Sequence, residues 1–84
     1  MPGMKAHVWV MLKSTVLDPQ GTAIQQALAS LGHASVRDVR QGKFFDIALV
    51  DGVTRDQARK DIETLAHEVL ANPVIEEYRV ELLD

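Results

Sequence analysis

The 84-residue sequence contains no cysteine, which excludes disulfide bonds, thiolate metal ligands and thiol nucleophiles. No apolar run approaches the roughly 20 residues that a membrane-spanning helix needs. Aromatic residues make up only 5% of the chain, too few for the stacking platforms of single-stranded nucleic-acid binders. A chain this short buries only about 60% of its unfolded surface. With no disulfide available, we expect contacts with other copies or with a partner to supply stability.

Basic charge is not in excess either, since nine Lys and Arg stand against twelve Asp and Glu, for a net charge of -3. This balance argues against a dedicated nucleic-acid binder or a polybasic membrane anchor, and it favours a protein partner. The amino terminus lacks the long apolar segment of a signal peptide, which predicts a cytoplasmic protein. Residues 1–3 carry no pattern and are predicted to be a disordered leader before a single domain at 4–84.

Residues 5–13, "KAHVWVMLK", alternate with the period of a β-strand. One face is apolar, and the other carries Trp9 and Met11. A sheet face that is open to water normally carries polar residues. We therefore predict that this second face packs against another copy of the chain or a larger partner.

Two amphipathic helices are predicted. Asp18 as N-cap and Pro19 at the first helical position begin a helix over residues 19–31, with an apolar stripe of Ile24, Ala27, Leu28 and Leu31. Gly21 lies in its first turn, where glycine costs up to about 1 kcal/mol relative to alanine, so some neighbouring group is expected to approach its backbone closely. Thr54 and Gln57 have the spacing of a capping box and begin a second helix, with a stripe of Ala58, Ile62, Leu65, Ala66 and Val69 that ends before Asn72 and Pro73.

The final run, residues 74–83, alternates again and is predicted to be a strand. The element order is therefore β-α-β(β)-α-β, which predicts an α+β fold. In this fold a small antiparallel sheet carries two helices on one face, both helical stripes are buried against the sheet, and the domain dimerises through the sheet.

The middle segment "SVRDVRQGKFFDIALV", residues 35–50, contains two β-like runs joined by Gln41 and Gly42. This pair suits either a two-residue hairpin turn or a bulge in one long bent strand, and the sequence does not choose between them. The nearby Arg37 and Arg40 suit either a phosphorylated ligand or acidic residues across a subunit boundary.

Catalytic patterns are weak. The three histidines lie on different predicted elements and lack zinc-site spacing, and the glycines are scattered singly, so no phosphate-binding loop is present. Glu76 and Glu77 are adjacent on a strand and point to opposite faces, so they cannot act on one atom. The sequence favours an accessory subunit or a small binding module over a stand-alone enzyme.

Three stretches in order, "TVLDPQG", "VRDVRQGKFFDI" and "LANPVIEEYRVEL", resemble the PurS family, the small subunit of the three-component phosphoribosylformylglycinamidine synthase. The likeness runs from Met4 to the carboxyl end. It implies a role in purine biosynthesis, where an ATP-dependent synthetase subunit and a glutaminase subunit convert formylglycinamide ribonucleotide to the amidine. Catalysis, ATP and Mg²⁺ then belong to those partners. This chain would be a cofactor-free dimeric or tetrameric adaptor that joins them and supports ammonia transfer.

The family motifs assign residues one by one. Leu17 to Gly21 match the first motif, while Val39, Arg40, Gly42 and Lys43 match the second. Asn72, Val74, Ile75, Glu76 and Tyr78 match the third. The segment "VDGVTRDQARKD" departs from the family pattern. The predicted partner or dimer contacts are Trp9, Asp18, Pro19, Gln20, Gly21, Arg37, Arg40, Gly42, Lys43 and Tyr78, and no catalytic or metal-binding residue is predicted.

The resemblance also gives a role to the Gln41-Gly42 pair, which would bend a long β segment that serves the dimer while Arg40 and Lys43 face a partner. Two other interpretations compete with the adaptor. One is an ACT-like or ferredoxin-like regulatory ligand-binding module, and the other is a small cofactor-free enzyme that uses His33 or His7. Fold alone does not separate them, because one small α+β scaffold hosts many functions.

Overall fold

The computed structural model describes residues 3–83, so Met1 and Pro2 of the predicted leader lie outside the described residues, as does Asp84. Its elements are β1 (Lys5–Leu12), α1 (Pro19–Ser30), β2 (Gly42–Ala48), α2 (Arg55–Leu65), a π-helical turn (Ala66–Leu70) and β3 (Glu76–Leu83). The strands form one antiparallel sheet in the order β2-β1-β3. The predicted α+β class is confirmed, with a single strand in the middle of the chain.

The alternation of β1 creates two different sheet faces. On the core face Val8 pairs with Phe45 of β2 and Val80 of β3, and it has no exposed surface. On the opposite face, called the outer face below, Trp9 pairs with Phe44 and Arg79. Because β1 is the central strand, both of its faces meet side chains from both neighbours.

Helix α2 covers the core face. Its N-cap Thr54 accepts a hydrogen bond from the backbone N–H of Gln57 at 3.1 Å, as the capping-box spacing predicts. Ala58 and Ile62 are buried in the same cluster as Val8 and Leu82. Fully burying a large aliphatic side chain contributes about 1.5–3 kcal/mol, so this contact between helix and sheet is the main apolar core of the chain.

A π-helical turn changes the end of this second helix. The N–H of Ala71 donates to the carbonyl of Ala66 at 2.9 Å, a bond that spans five residues instead of four. The wider turn rotates the following side chains, so Leu70 and Ala71 face the core cluster while Val69 is 70% exposed. The prediction of Val69 in the apolar stripe, which assumed a regular α-helix, is therefore wrong.

Helix α1 does not pack on the sheet as α2 does. Gly21 is its only buried residue, Ile24 is 42% exposed and Leu31 is more exposed still. The Cα radius of gyration is 16.6 Å, whereas a compact domain of this length has about 12 Å. The predicted burial of the α1 stripe against the sheet is wrong for the single chain, because α1 extends away from the sheet.

The last strand begins later than predicted. Val74 and Ile75 belong to a turn in which the side chain of Asn72 accepts the N–H of Val74 at 3.1 Å. The carboxylate of Glu76 in turn accepts the N–H of Asn72 at 2.7 Å. These local bonds satisfy backbone groups that a strand would otherwise pair, so β3 starts at Glu76.

Candidate functional site

Asp18 lies where the chain leaves the sheet for α1 and where it later returns. Its Oδ1 accepts the backbone N–H of Gly21 at 2.9 Å, the N-cap bond that the sequence predicts. Its Oδ2 accepts the N–H of Gln41 at 2.7 Å. The carboxylate is only 5% exposed. A single side chain therefore caps α1 and also joins the start of α1 to the residue that precedes β2.

Arg40 also links the segment that precedes β2 to the loop between β1 and α1. Its Nη2 donates to the carbonyl of Lys13 at 3.0 Å and to that of Val16 at 2.9 Å. Both carbonyls belong to the loop between β1 and α1. We call the side chains of Asp18 and Arg40, with the backbone groups that they bind, the clasp. All four of its hydrogen bonds involve a charged side chain, and such bonds are stronger than neutral ones.

The surroundings of Asp18 favour its ionised form. The N–H groups of Gln41 and then Gly21 lower the pKa of Asp18 below its ordinary value of 3.8, with a further contribution from the positive charge of Arg40. Burial acts in the opposite direction and is outweighed. At neutral pH the clasp therefore contains a carboxylate, which can only accept hydrogen bonds.

The glycine in the first turn of α1 has a reason within the chain itself. A Cβ atom at Gly21 would overlap the backbone carbonyl of Val39. The close approach that the sequence predicts at Gly21 is thus made by residue 39 of the same chain. A contact between Gly21 and a partner stays a prediction.

The Gln41-Gly42 pair forms neither a hairpin turn nor a bulge between two strands. Gly42 is the first residue of β2 and pairs with Met11, while the N–H of Gln41 is used by Asp18. A Cβ at Gly42 would overlap Met11 Sδ and lie 2.7 Å from the carbonyl of Val10. Glycine is required here because β1 approaches closely, so the predicted role of Gly42 in bending a long β segment is wrong.

One open cleft brings several predicted contact residues together. Its volume is about 440 Å³, and its lining includes Asp18, Pro19, Gln20, Gly42 and Lys43. Pro19, Gln20 and Lys43 are exposed. Arg37 is not among the residues that line this cleft. It is exposed and makes no hydrogen bond or ion pair within the described residues. Arg40 belongs to the clasp and not to the cleft.

Trp9 is the centre of a second cluster, on the outer face. Arg79 Cζ lies 4.0 Å from the centroid of the Trp9 ring, a cation–π geometry. The rings of Trp9 and Phe44 are 5.4 Å apart, and Phe44 is exposed. Tyr78 lines a cleft of about 320 Å³ with Trp9 and Arg79. Its pairing partner is nevertheless Val10 on the core face, and its ring is 6.3 Å from that of His67. The predicted contact residues therefore lie on more than one surface.

His7 has a structural environment at the margin of the outer face. Its Nε2 is 3.2 Å from Asp46 Oδ1, and its ring centroid lies 4.9 Å from that of Phe44. Residues 3–83 contain no group of three or more side chains that could hold a metal ion. The side-chain interactions described above are hydrogen bonds, ring contacts and a cation–π contact.

Comparison with known proteins identifies the family. The sequence model of PurS, described as phosphoribosylformylglycinamidine (FGAM) synthase, matches residues 5–84.

The chain belongs to the PurS family.

The phosphoribosylformylglycinamidine synthase subunit PurS of Bacillus subtilis is 42% identical over 82 residues, which cover 93% of this chain and 90% of that protein. The corresponding subunit of Mycobacterium leprae is 43% identical over 76 residues, covering 90% and 91%. The predicted resemblance to PurS is therefore confirmed.

Solved PurS structures share the fold. The PurS of Methanocaldococcus jannaschii, described as one of the subunits of formylglycinamide ribonucleotide amidotransferase in the purine biosynthetic pathway, matches with a TM-score of 0.85 at 34% identity over 96% of each chain. A chain from the structure of PurLQS from Thermotoga maritima matches with a TM-score of 0.85 at 32% identity, covering 99% of this chain and 100% of that chain.

Sequence reasoning missed part of this PurS chain's site. The contacts of Phe44 and Arg79 with Trp9 depend on strand register, which the run of alternating residues does not specify. The carbonyls of Lys13 and Val16 carry no side-chain signal at all. Gly21 was the one sequence signal for the contact at the start of α1. It indicated that a group approaches closely, but it did not identify that group as Val39.

Proposed function

We propose that this chain is the non-catalytic adaptor that joins the synthetase and glutaminase subunits of phosphoribosylformylglycinamidine synthase and supports ammonia transfer between them. As a PurS-family chain it is the PurS subunit of that synthase, in purine biosynthesis. The observation that carries the adaptor proposal is the match over 99% of this chain to a chain in the structure of PurLQS from Thermotoga maritima.

Two surfaces of the single chain support this proposal. The apolar stripe of α1, with Ile24 and Leu31, is exposed, although such stripes are normally buried. The outer face presents Trp9 and Phe44, and aromatic side chains are enriched at protein interfaces. A small chain with two unburied apolar surfaces is suited to contact more than one partner.

We further propose that the outer face mediates self-association into a dimer or tetramer. Replacing Trp9 by aspartate places a charge in the centre of this face, so Trp9→Asp is expected to lower the oligomer size measured by light scattering. The substitution Thr64→Asp introduces the same charge at an exposed position of α2, on the other side of the sheet, and serves as the control. If Trp9→Asp kept the wild-type oligomer size, another surface would form the oligomer.

The adaptor role is tested by measuring formylglycinamidine ribonucleotide formation by the synthetase and glutaminase subunits with and without this chain. Glutamine and ammonia are compared as nitrogen sources. We expect glutamine to support turnover only when the chain is present and ammonia to work without it. Equal glutamine rates with and without the chain would overturn the proposal.

The remaining expectations follow from the adaptor role. The synthetase partner is proposed to use ATP and Mg²⁺, with no cofactor in this chain, and the cytoplasm is the proposed location. Within the described range no helix has both the length and the apolar character to cross a membrane. The ACT-like or ferredoxin-like regulatory module is not favoured, because the comparisons point to PurS.

A further inference from the structure

Helix α1 and the segment that follows it form one structural unit. The N–H of His33 donates to the carbonyl of Leu28 at 2.9 Å, and Gln25 Nε2 donates to the carbonyl of Val36 at 3.4 Å. Val39 then lies against Gly21. Residues 33–39 therefore run back along α1 from its carboxyl end to its amino end. We call residues 19–39 the α1 lobe.

The α1 lobe joins the sheet at two passages of the chain, residues 13–18 and residues 40–42. The clasp links these passages, since Asp18 binds Gln41 and Arg40 binds the carbonyls of Lys13 and Val16. Apolar packing contributes little to α1, because Gly21 is its only buried residue. Three of the four clasp bonds join the two passages to each other, and the fourth joins Asp18 to Gly21 in the lobe. The clasp therefore fixes the base from which the lobe extends.

Hydrogen bonds suit this task better than apolar contacts do. The hydrophobic effect is non-directional, whereas a hydrogen bond weakens steeply when its angle changes. Four charge-assisted bonds converge on two side chains and hold the base of the lobe in one arrangement. Loss of either side chain would leave two backbone groups without these partners.

We propose that Asp18 and Arg40 are positioning residues for the amidotransferase, which hold the α1 lobe at a fixed angle to the sheet. The angle fixes the position of the α1 stripe relative to the outer face. It therefore sets how the synthetase and glutaminase subunits meet the α1 stripe on an oligomer formed through the outer face. This inference rests on the proposed adaptor function. It assigns to Asp18 and Arg40 a role that is exerted through the lobe and not through contact with a reacting group.

The first experiment measures the lobe directly by double electron–electron resonance between two spin labels. The chain has no cysteine, so Ser30→Cys on α1 and Thr64→Cys on α2 provide two unique labelling positions, both exposed. Labelled chains are diluted with unlabelled chains so that the distance within one chain is read. We expect a narrow distance distribution in the otherwise wild-type chain.

Arg40→Ala and Asp18→Asn should broaden that distribution at least about twofold, because each removes hydrogen bonds to a charged group. Arg59→Ala, at an exposed arginine of α2, is the matched control and should leave the distribution unchanged. If Arg40→Ala fails to fold, Arg40→Lys replaces it, since lysine keeps the charge but loses the planar fork. A distribution as narrow as that of the control would overturn the positioning role.

The second experiment separates this inference from the adaptor function. The ratio of the glutamine-driven rate to the ammonia-driven rate is measured with wild type, Arg40→Ala, Arg40→Lys and Arg59→Ala. For Arg40→Ala the ratio should fall about tenfold, the change expected from losing a hydrogen bond to a charged group, with partial rescue in Arg40→Lys. An unchanged ratio beside a functional wild type would overturn the positioning role alone. A wild-type chain that fails to support glutamine-driven turnover would overturn the adaptor function, and with it the proposed effect of the lobe angle on turnover.

Discussion

The two helices of this chain are attached to the sheet by different kinds of interaction. Ile62 of α2 is 2% exposed and lies in the apolar core, whereas Ile24 of α1 is 42% exposed. At the start of α1 the contacts are instead those of the clasp, through Asp18 and Arg40. An isoleucine in an amphipathic helix is thus part of the core in α2 and remains on the surface in α1. The difference shows that an apolar helical stripe does not by itself indicate burial within the same chain.

The largest expected effect is on the packed half of the molecule. Ile62→Ala should lower the free energy of unfolding by about 2–5 kcal/mol, because it removes buried methyl groups and leaves a cavity. Urea unfolding at a fixed chain concentration measures the change. A loss as small as that for an exposed residue would mean that α2 does not form the principal core.

Gly21→Ala tests the close backbone contact at the start of α1. Helix propensity alone predicts a gain of up to about 1 kcal/mol, but a Cβ here would overlap the carbonyl of Val39. We expect instead a loss of about 1–3 kcal/mol, the usual range for overpacking. Gln20→Ala, at the exposed neighbouring position, is the control in thermal unfolding. Stabilisation by Gly21→Ala would contradict the contact with Val39.

Asp18→Asn tests the charge in the clasp through pH. The pKa of Asp18 is lower in the folded chain than its ordinary 3.8, so the unfolded state binds more protons as the pH falls. The stability that ionised Asp18 contributes is therefore present above pH 3.8 and is lost as the pH falls through the folded pKa.

Asp18→Asn should accordingly be less stable than wild type at neutral pH, and the difference between them should narrow in acid. A series of urea unfolding curves across the acidic range measures both free energies. A difference that stayed constant with pH would show that Asp18 is not the group responsible.

The smallest expected effect on folding is that of Ile24→Ala. Because the side chain is 42% exposed in the single chain, its removal should change the free energy of unfolding by about 1 kcal/mol or less at low chain concentration. Pull-down of the synthetase and glutaminase subunits should weaken more than folding does. A loss equal to that of Ile62→Ala in the monomer would remove the contrast between the two helices.

The sequence predicted much of the local structure and part of the candidate site. The N-cap bond of Asp18 was predicted from its residue type ahead of Pro19, and the structure shows it. The second bond of the same carboxylate, to Gln41, was not predicted. A carboxylate can accept several hydrogen bonds. Spacing along the sequence predicts the bond to a donor in the next helical turn, but it does not predict a bond to a donor 23 residues away.

Val69 and Gly42 illustrate the limits of periodicity. A stripe of regular α-helical spacing includes Val69, but a π-helical turn moves it to the surface. Gly42 has the character of a turn residue, yet it begins β2, where Met11 and the Val10 carbonyl leave no space for a side chain. The position of Val69 depends on the backbone of a whole helical turn. The space at Gly42 depends on β1, which is distant in sequence.

By itself the sequence determined the α+β element order, the core face of each strand, both helix caps and membership of the PurS family. These follow from alternation, side-chain hydrogen bonding and motif order, which act over a few neighbouring residues. Only the tertiary structure decided that α1 extends from the sheet and that Asp18 and Arg40 clasp its base. Those features arise from contacts between residues more than 20 positions apart, such as Asp18 with Gln41 and Arg40 with Val16. Short-range patterns carry no information on such distances, because chain folding alone brings these groups together.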